Sequence, residues 1–167
     1  MTMCYGAIDL KIKTWVKYTI FGFITAVLTL IDQLTKIWMV DIAQGIEGKG
    51  IVVIKNVLNF TYLKNDGASM GLFGGQRVPL IIMTLVIFAA GIYYFVKKRP
   101  DNWLLLSAVS LVASGAVGNL IDRITLGYVR DFIDLQFINF YIFNFADCAI
   151  CVGAALLIIY AFLNVKD

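Results

Sequence analysis

Four stretches of the chain run for about twenty residues with almost no polar interruption. They are Tyr18 to Val40, Val78 to Val96, Trp103 to Ile121 and Phe140 to Leu163. Crossing some 30 Å of hydrocarbon takes roughly 20 mostly apolar residues, and the backbone must satisfy its own hydrogen bonds as a helix. Each stretch therefore predicts a membrane span. Between the first two, "GKGIVVIKNVLNFTYLKNDGASMGLFGGQR" changes character: it is β-branched and aromatic and closes in "NDG" and "GG". That pattern predicts two or three short strands with turns. The link "KKRPDN" after the second span is a tight turn bearing a positive cluster. The expected fold is an all-α membrane protein: four transmembrane helices with a small extracytoplasmic β-sheet cradle between spans one and two, in one domain covering 1–167.

Composition agrees with the pattern. Hydrophobic residues make up 60% of the 167, 15% are charged, and the mean hydropathy is +0.84. A soluble domain is about 45–50% apolar and 25% charged. The net charge of +3 is spread along the chain with no long basic run, so a nucleic-acid partner is not expected. Lys11, Lys13 and Lys17 precede the first span, Lys97, Lys98 and Arg99 follow the second, and Lys166 follows the fourth. Such clusters predict both termini in the cytoplasm, with 41–77 and 122–139 on the outer side. The opposite side holds Lys49, Lys55, Lys64, Arg77, Arg123 and Arg130 in longer segments, so the bias lies in density more than in count. A charged start leading into a span-length helix without an A-x-A-like site does not read as a cleavable signal.

Histidine is absent, and Glu47 is the only glutamate. The lack of histidine removes histidine-ligated zinc, HExxH proteolysis and Ser-His or Cys-His nucleophiles, so acid/base chemistry must fall on aspartate. No metal or cofactor is expected. Cys148 and Cys151 sit in an apolar run and read as small buried hydrophobes.

An aspartate at the centre of a membrane helix costs about 2.5–3.5 kcal/mol and usually faces a bundle interior or a wet cavity. With the termini inside, Asp32, Lys36, Asp122, Arg123, Asp131, Asp134 and Asp147 all converge on the outer face. Ser110, Ser114, Gly118 and Asp122 recur every fourth residue, a small stripe that reads first as helix packing. Packing does not account for Asn119, Asp122 and Arg123 together. Asn144 and Asp147 share a helix face at i, i+3. Asp32 and Lys36 form an i, i+4 pair, equally readable as an interfacial ion pair with a snorkelling lysine. Two aspartates close together in low dielectric share a proton and titrate as a pair. One can then deprotonate water while the other donates to a carbonyl oxygen or leaving amine. Spacing nominates Asp147 with one of Asp122, Asp131 or Asp134, and does not choose among them.

The blocks "DQLTK" (32–36), "NDGAS" (65–69), "GAVGNLIDR" (115–123), "VRDFID" (129–134) and "FNFAD" (143–147) resemble, in order, the signatures of bacterial lipoprotein signal peptidase, or signal peptidase II. The resemblance implies an aspartyl endopeptidase that cuts prolipoproteins on the amino side of a diacylglyceryl-modified cysteine. It maps the dyad to Asp131 and Asp147. It also implies that Asp32 and Lys36 support the site, that Asn65 and Gly67 lie near substrate, that Asn119 and Arg123 hold substrate or dyad, and that Asn144 flanks Asp147. Asp122 and Asp134 would brace the fold through Arg123 or Arg130. Prolipoproteins and membrane lipid are the expected partners, and the chain is expected to be monomeric. Two departures stand out: Arg130 replaces a small apolar residue, and "GASM" replaces a "GAA"-like run. A cation beside Asp131 would favour its ionised form.

Two other classes fit buried aspartates in a four-span protein. A proton-coupled transporter would string carboxylates through the bilayer, whereas these cluster at one face. A packing scaffold would tolerate Asp-to-Asn changes.

Overall fold

The computed structural model describes residues 2–67 and 75–164, with side chains from residue 13 onward in the first helix. In chain order the elements are α1 (Thr2–Ile42), β1 (Gly50–Ile54), β2 (Leu58–Asn65), α2 (Arg77–Lys98), α3 (Trp103–Thr125), β3 (Val129–Leu135) and α4 (Phe145–Leu163). Four helical stretches are long and apolar enough to cross a membrane: Lys13–Ile42, Arg77–Lys98, Trp103–Thr125 and Phe145–Leu163. The protein is thus a multi-pass membrane protein with a small antiparallel sheet, as the hydrophobic pattern predicts.

Two boundaries differ from the expected ones. The first helix begins well before Tyr18, because nothing between Thr2 and Lys17 breaks a helix. The fourth begins at Phe145, not Phe140, because Asn144 caps it: the Asn144 side chain accepts from Asp147 N and the Asp147 side chain accepts from Asn144 N. This reciprocal capping box satisfies two backbone donors that would otherwise be orphaned at a helix start. Apolar residues 140–143 are exposed or partly buried and lead into the cap.

The helices pack through small residues. A Cβ on Gly115 would lie 2.2 Å from Ala146 O, and one on Gly153 would lie 2.8 Å from Ala108 O, so α3 and α4 meet backbone to backbone. A Cβ on Gly118 would lie 2.3 Å from Asp32 Oδ2. Ser110 Oγ donates to Phe21 O at 3.2 Å, joining α3 to α1. The small stripe is therefore a packing seam, and α3 is the central helix, with 44% of its most apolar window buried against 6% in α1 and α2. Cys148 is half-buried, and Cys151 lies on the outer surface of α4, contrary to the expectation that both are buried. The face of α4 that packs on α3 runs through Ala146, Ala149 and Gly153, and position 151 falls off it.

The sheet has the order β1-β2-β3, so its third strand comes from the link between α3 and α4 and not from the segment after α1. A charged strand between two apolar spans shows no clean alternation of apolar and polar positions, and alternation is the signal that marks a strand. Register pairs Leu63 with Asp131, Lys64 with Arg130 and Asn65 with Val129, with an irregularity in β2 between Phe60 and Leu63. Beneath the sheet, Met39, Ala43, Tyr62 and Phe132 form a buried apolar cluster that fixes β2 and β3 on the end of α1.

Candidate active site

The polar residues gather where the sheet meets the ends of α1 and α3 and the start of α4. Asp131 is 1% exposed. Its Oδ1 accepts from Asn144 Nδ2 at 2.5 Å and its Oδ2 from Asn65 Nδ2 at 2.8 Å. Asn65 reaches it diagonally across the β2–β3 ladder, since Asp131 itself lies opposite Leu63. Asp147 is half-buried, its Oδ1 accepting from Asn119 Nδ2 at 2.8 Å and its Oδ2 from Asn144 N at 3.1 Å. Asn144 thus holds both aspartates: its amide donates to one and its backbone N–H to the other. The backbone locks this arrangement, because Phe132 N and Ile133 N donate to Phe143 O and Phe143 N donates to Ile133 O, tying β3 to the residue before the cap.

Asn119 and Asn144 form a second link, with Asn144 Nδ2 donating to Asn119 Oδ1 at 3.2 Å. Lys36 Nζ donates to the same oxygen at 2.9 Å and lies 2.9 Å from Asp32 Oδ2 and 3.6 Å from Asp122 Oδ2. Lys36 and Asp32 are 0% and 1% exposed, so the lysine does not snorkel; it is an internal cation. Asp32 Oδ1 accepts from Ala146 N at 3.0 Å, holding the first turn of α4. Arg123 donates to Gly67 O at 3.0 Å, and Gly67 N donates to Asn65 Oδ1 at 3.0 Å, which fixes the turn carrying Asn65. Arg123 also interacts electrostatically with Asp147 and Asp131. All nine residues singled out from the sequence lie in one connected network. Ala68 and Ser69 of the "NDGAS" block, and Met70 after it, lie outside the described residues.

The remaining carboxylates have other partners. Asp122 receives Arg130 through its backbone N (3.0 Å), Nε (3.1 Å) and Nη2 (2.6 Å). Asp134 accepts from Thr61 Oγ1 at 3.0 Å. Of the three aspartates that spacing left open, Asp131 is the one hydrogen-bonded to Asn144. The bracing of Asp122 runs through Arg130.

The expected influence of Arg130 on its neighbour is not found. Successive strand side chains point to opposite faces. Arg130 turns towards Asp122 and Gln33 while Asp131 faces Asn144. Asp131 accordingly has its pKa raised to about 7, chiefly by burial and then by the charge of Asp147, against the lowering effect of the Asn65 and Asn144 hydrogen bonds. Gln33 is the participant that sequence reading passed over. Its amide donates to Asp32, to Gly118 O at 3.0 Å and to Asp122, and its oxygen accepts from Arg130 Nη2 at 2.8 Å. A glutamine within an apolar span, next to Asp32, was the available signal. Asp32, Lys36, Asp122 and Arg130 together form a charge-neutral buried set. No buried side-chain nitrogen or oxygen among the described residues lacks a hydrogen-bond partner. Such balance is what makes buried ions tolerable, since removing one partner leaves an uncompensated charge.

Fold and site together define a polytopic membrane protein with a carboxylate pair set at one end of its helix bundle. Residues 24–163 match the family model for signal peptidase (SPase) II. The chain is 42% identical over 145 residues to the lipoprotein signal peptidase of Clostridium novyi (strain NT), covering 84% of this chain and 92% of that one. It is 38% identical over 152 residues to that of Lactobacillus johnsonii, covering 90% and 97%. A bacterial membrane enzyme solved in meso at 2.3 Å superposes with a TM-score of 0.80 at 34% identity, covering 87% of this chain and 89% of the other. The chain belongs to the signal peptidase II family, and it is an aspartic protease of that type.

Proposed function

We propose that this protein removes the signal peptide from prolipoproteins on the amino side of a diacylglyceryl-modified cysteine, using Asp131 and Asp147 as a water-activating dyad. Processing of prolipoprotein signal peptides is the activity of the family. The observation that carries the finer reading is the double hold of Asn144, which brings carboxylates from β3 and α4 to opposite sides of one residue.

Asp131, with its pKa raised to about 7, is the member that holds the shared proton. Asp147 is the base: it takes a proton from water as the oxygen attacks the scissile carbonyl, while Asp131 donates to the carbonyl oxygen. Collapse of the tetrahedral intermediate returns a proton to the departing amine, which is the amino group of the modified cysteine. Asp131 is sealed and Asp147 half-buried, so water and peptide approach from the Asp147 side. Asn119 keeps Asp147 in orientation, Asn65 holds Asp131, Arg123 secures the turn at Gly67, and Asp32 with Lys36 anchors the start of α4.

The bilayer places this chemistry. Four spans put both termini on one side, and Lys11, Lys13 and Lys17 ahead of the first span, with Lys97, Lys98 and Arg99 at the end of α2, favour the cytoplasm as that side. The dyad then lies at the extracytoplasmic boundary, where a diacylglyceryl group keeps its chains in hydrocarbon and its cysteine at the surface. A single chain holds every residue of the network, so a monomer in membrane lipid, one peptidase domain of 1–167, is the working unit.

The test is a cleavage assay in lipid with precursor peptides that carry or lack diacylglyceryl on the cysteine. The modified peptide alone should be cut, and Asp131→Asn or Asp147→Asn should abolish cleavage with membrane insertion intact. Full activity in either variant refutes the dyad, and equal cutting of the unmodified peptide refutes the substrate assignment.

A further inference from the structure

From the end of the bundle away from the dyad to about its middle runs an open cavity of about 450 Å³ between α1, α2 and α3, with Leu157 of α4 also in its wall. Its wall includes Gly22, Thr25, Gly91, Phe95, Ser110 and Ala113. Three hydroxyls reach it, and each is already engaged: Thr25 donates to Phe21 O, Ser110 donates to the same oxygen, and Tyr18 donates to Pro100 O. Water needs several polar partners to stay in a cavity, and beyond the acceptor side of those three hydroxyls the wall is apolar. An empty space of this size would forfeit the contacts of its whole lining. Leu80, near the far end, is the one buried residue of α2, so the half of α2 along the cavity has no protein cover of its own.

The occupant must therefore be hydrocarbon, and slim. One turn of a helix, about 10 Å across and 5.4 Å long, already fills roughly 420 Å³, so a spanning helix would not be enclosed by the cavity and could only lie along its open side. At about 30 Å³ for a group the size of water or methylene, it takes roughly 15 groups in a row, the size of one acyl chain.

The rim names the headgroup. Lys17 and Tyr18 on α1 face the α2–α3 turn, where Lys97, Lys98 and Arg99 end α2. Asp101, the acid of that turn, is taken by Lys17 at 2.5 Å, and Lys97 donates to Tyr93 Oη at 3.1 Å. Lys98 and Arg99 are exposed. We propose that this cavity is a binding site for one acyl chain of an anionic phospholipid in the leaflet bearing the termini, its phosphate held by Lys98 and Arg99. The lipid completes the packing between α1 and α2 and is separate from the lipid group on the substrate.

The test uses the full-length enzyme in mild detergent, incubated with phosphatidylglycerol or phosphatidylcholine and read by native mass spectrometry. A Cβ on Gly22 or Gly91 meets nothing within 4 Å, so Gly22→Leu/Gly91→Leu enters the space with no backbone obstruction at the Cβ, occupies part of it and gains helix propensity. One phosphatidylglycerol per chain should be retained, at least tenfold over phosphatidylcholine. Retention should fall at least tenfold in the filled variant, and Lys98→Gln/Arg99→Gly should erase the preference for the anionic lipid. Undiminished retention in the filled variant, or equal retention of both lipids by the unaltered enzyme, overturns the proposal. So does a filled variant that retains lipid but has a tenfold higher KM for precursor, which would assign the cavity to the signal peptide.

Discussion

Replacing Asn144 separates two roles that the structure joins in one side chain. In Asn144→Ala, α4 loses its N-cap, worth about 1 kcal/mol. Asp131 loses the 2.5 Å bond from Nδ2, which as a bond to an ionisable carboxyl is worth roughly 1.5–3 kcal/mol. Asn119 Oδ1 keeps Lys36 Nζ as donor, so nothing further is orphaned there. The expected loss of stability is therefore roughly 2.5–4 kcal/mol. With the dyad no longer held at a fixed separation, kcat should fall by about two orders of magnitude. The bond from Asn144 lowers the pKa of Asp131, so its removal raises that pKa further above about 7 and moves the alkaline limb of the rate profile to higher pH. Asn144→Ser supplies the control: serine restores the cap but is too short to reach Asp131. Thermal unfolding and precursor cleavage, both in lipid, should then part company, with serine recovering the cap's share of stability and little of the rate. Wild-type kcat in Asn144→Ser would refute the claim that this side chain sets the dyad.

Activity of the unaltered enzyme should decline above about pH 7, as Asp131 loses the proton it donates to the carbonyl oxygen; a profile flat from pH 6 to 9 would contradict that role. The same raised pKa means that the folded state binds this proton more tightly than the unfolded chain. Its stabilising contribution is complete below about pH 4, the ordinary range of aspartate, and is lost as pH rises through about 7. Asp131→Asn should therefore gain stability relative to wild type at pH 8, measured by thermal unfolding. Lys36→Met leaves Asp32 buried without its cation, since Arg130 pairs with Asp122, and should destabilise by roughly 3–5 kcal/mol, visible as loss of folded protein on extraction. Gly115→Ala must part α3 from Ala146 O, 2.2 Å from the new Cβ, and should cost about 1–3 kcal/mol together with activity, because the displaced helix carries Asp147.

Much of this was readable from the chain because a bilayer makes polarity conspicuous. Asp32, Lys36, Asn119, Arg123 and Asp147 stand out against apolar spans, and the structure joins them in one network. Two things were not readable. β3 is charged and lies between two spans, so nothing in its pattern announced a strand, and without the strand the opposite directions of Arg130 and Asp131 could not be foreseen. The start of α4 was placed too early because residues 140–143 are as apolar as the span they precede; the cap at Asn144 ends that ambiguity through hydrogen bonds that hydropathy does not register. Gln33 carries no charge, so beside Asp32 its polarity is the weaker signal in the span.

The alternation of β3 makes the chain unforgiving of length at one place. Only Leu126, Gly127 and Tyr128 separate α3 from the strand, and Gly127 already stands at φ 92°, held by Asp122 O. Inserting one residue there, with the strand slipped by one, would present the Arg130 guanidinium to Asn144, set Val129 against Asp122 in place of its cation, and push the Asp131 carboxyl into the apolar slot of Phe132. Evolution of this enzyme can thus vary the residues of that turn, but can hardly vary their number.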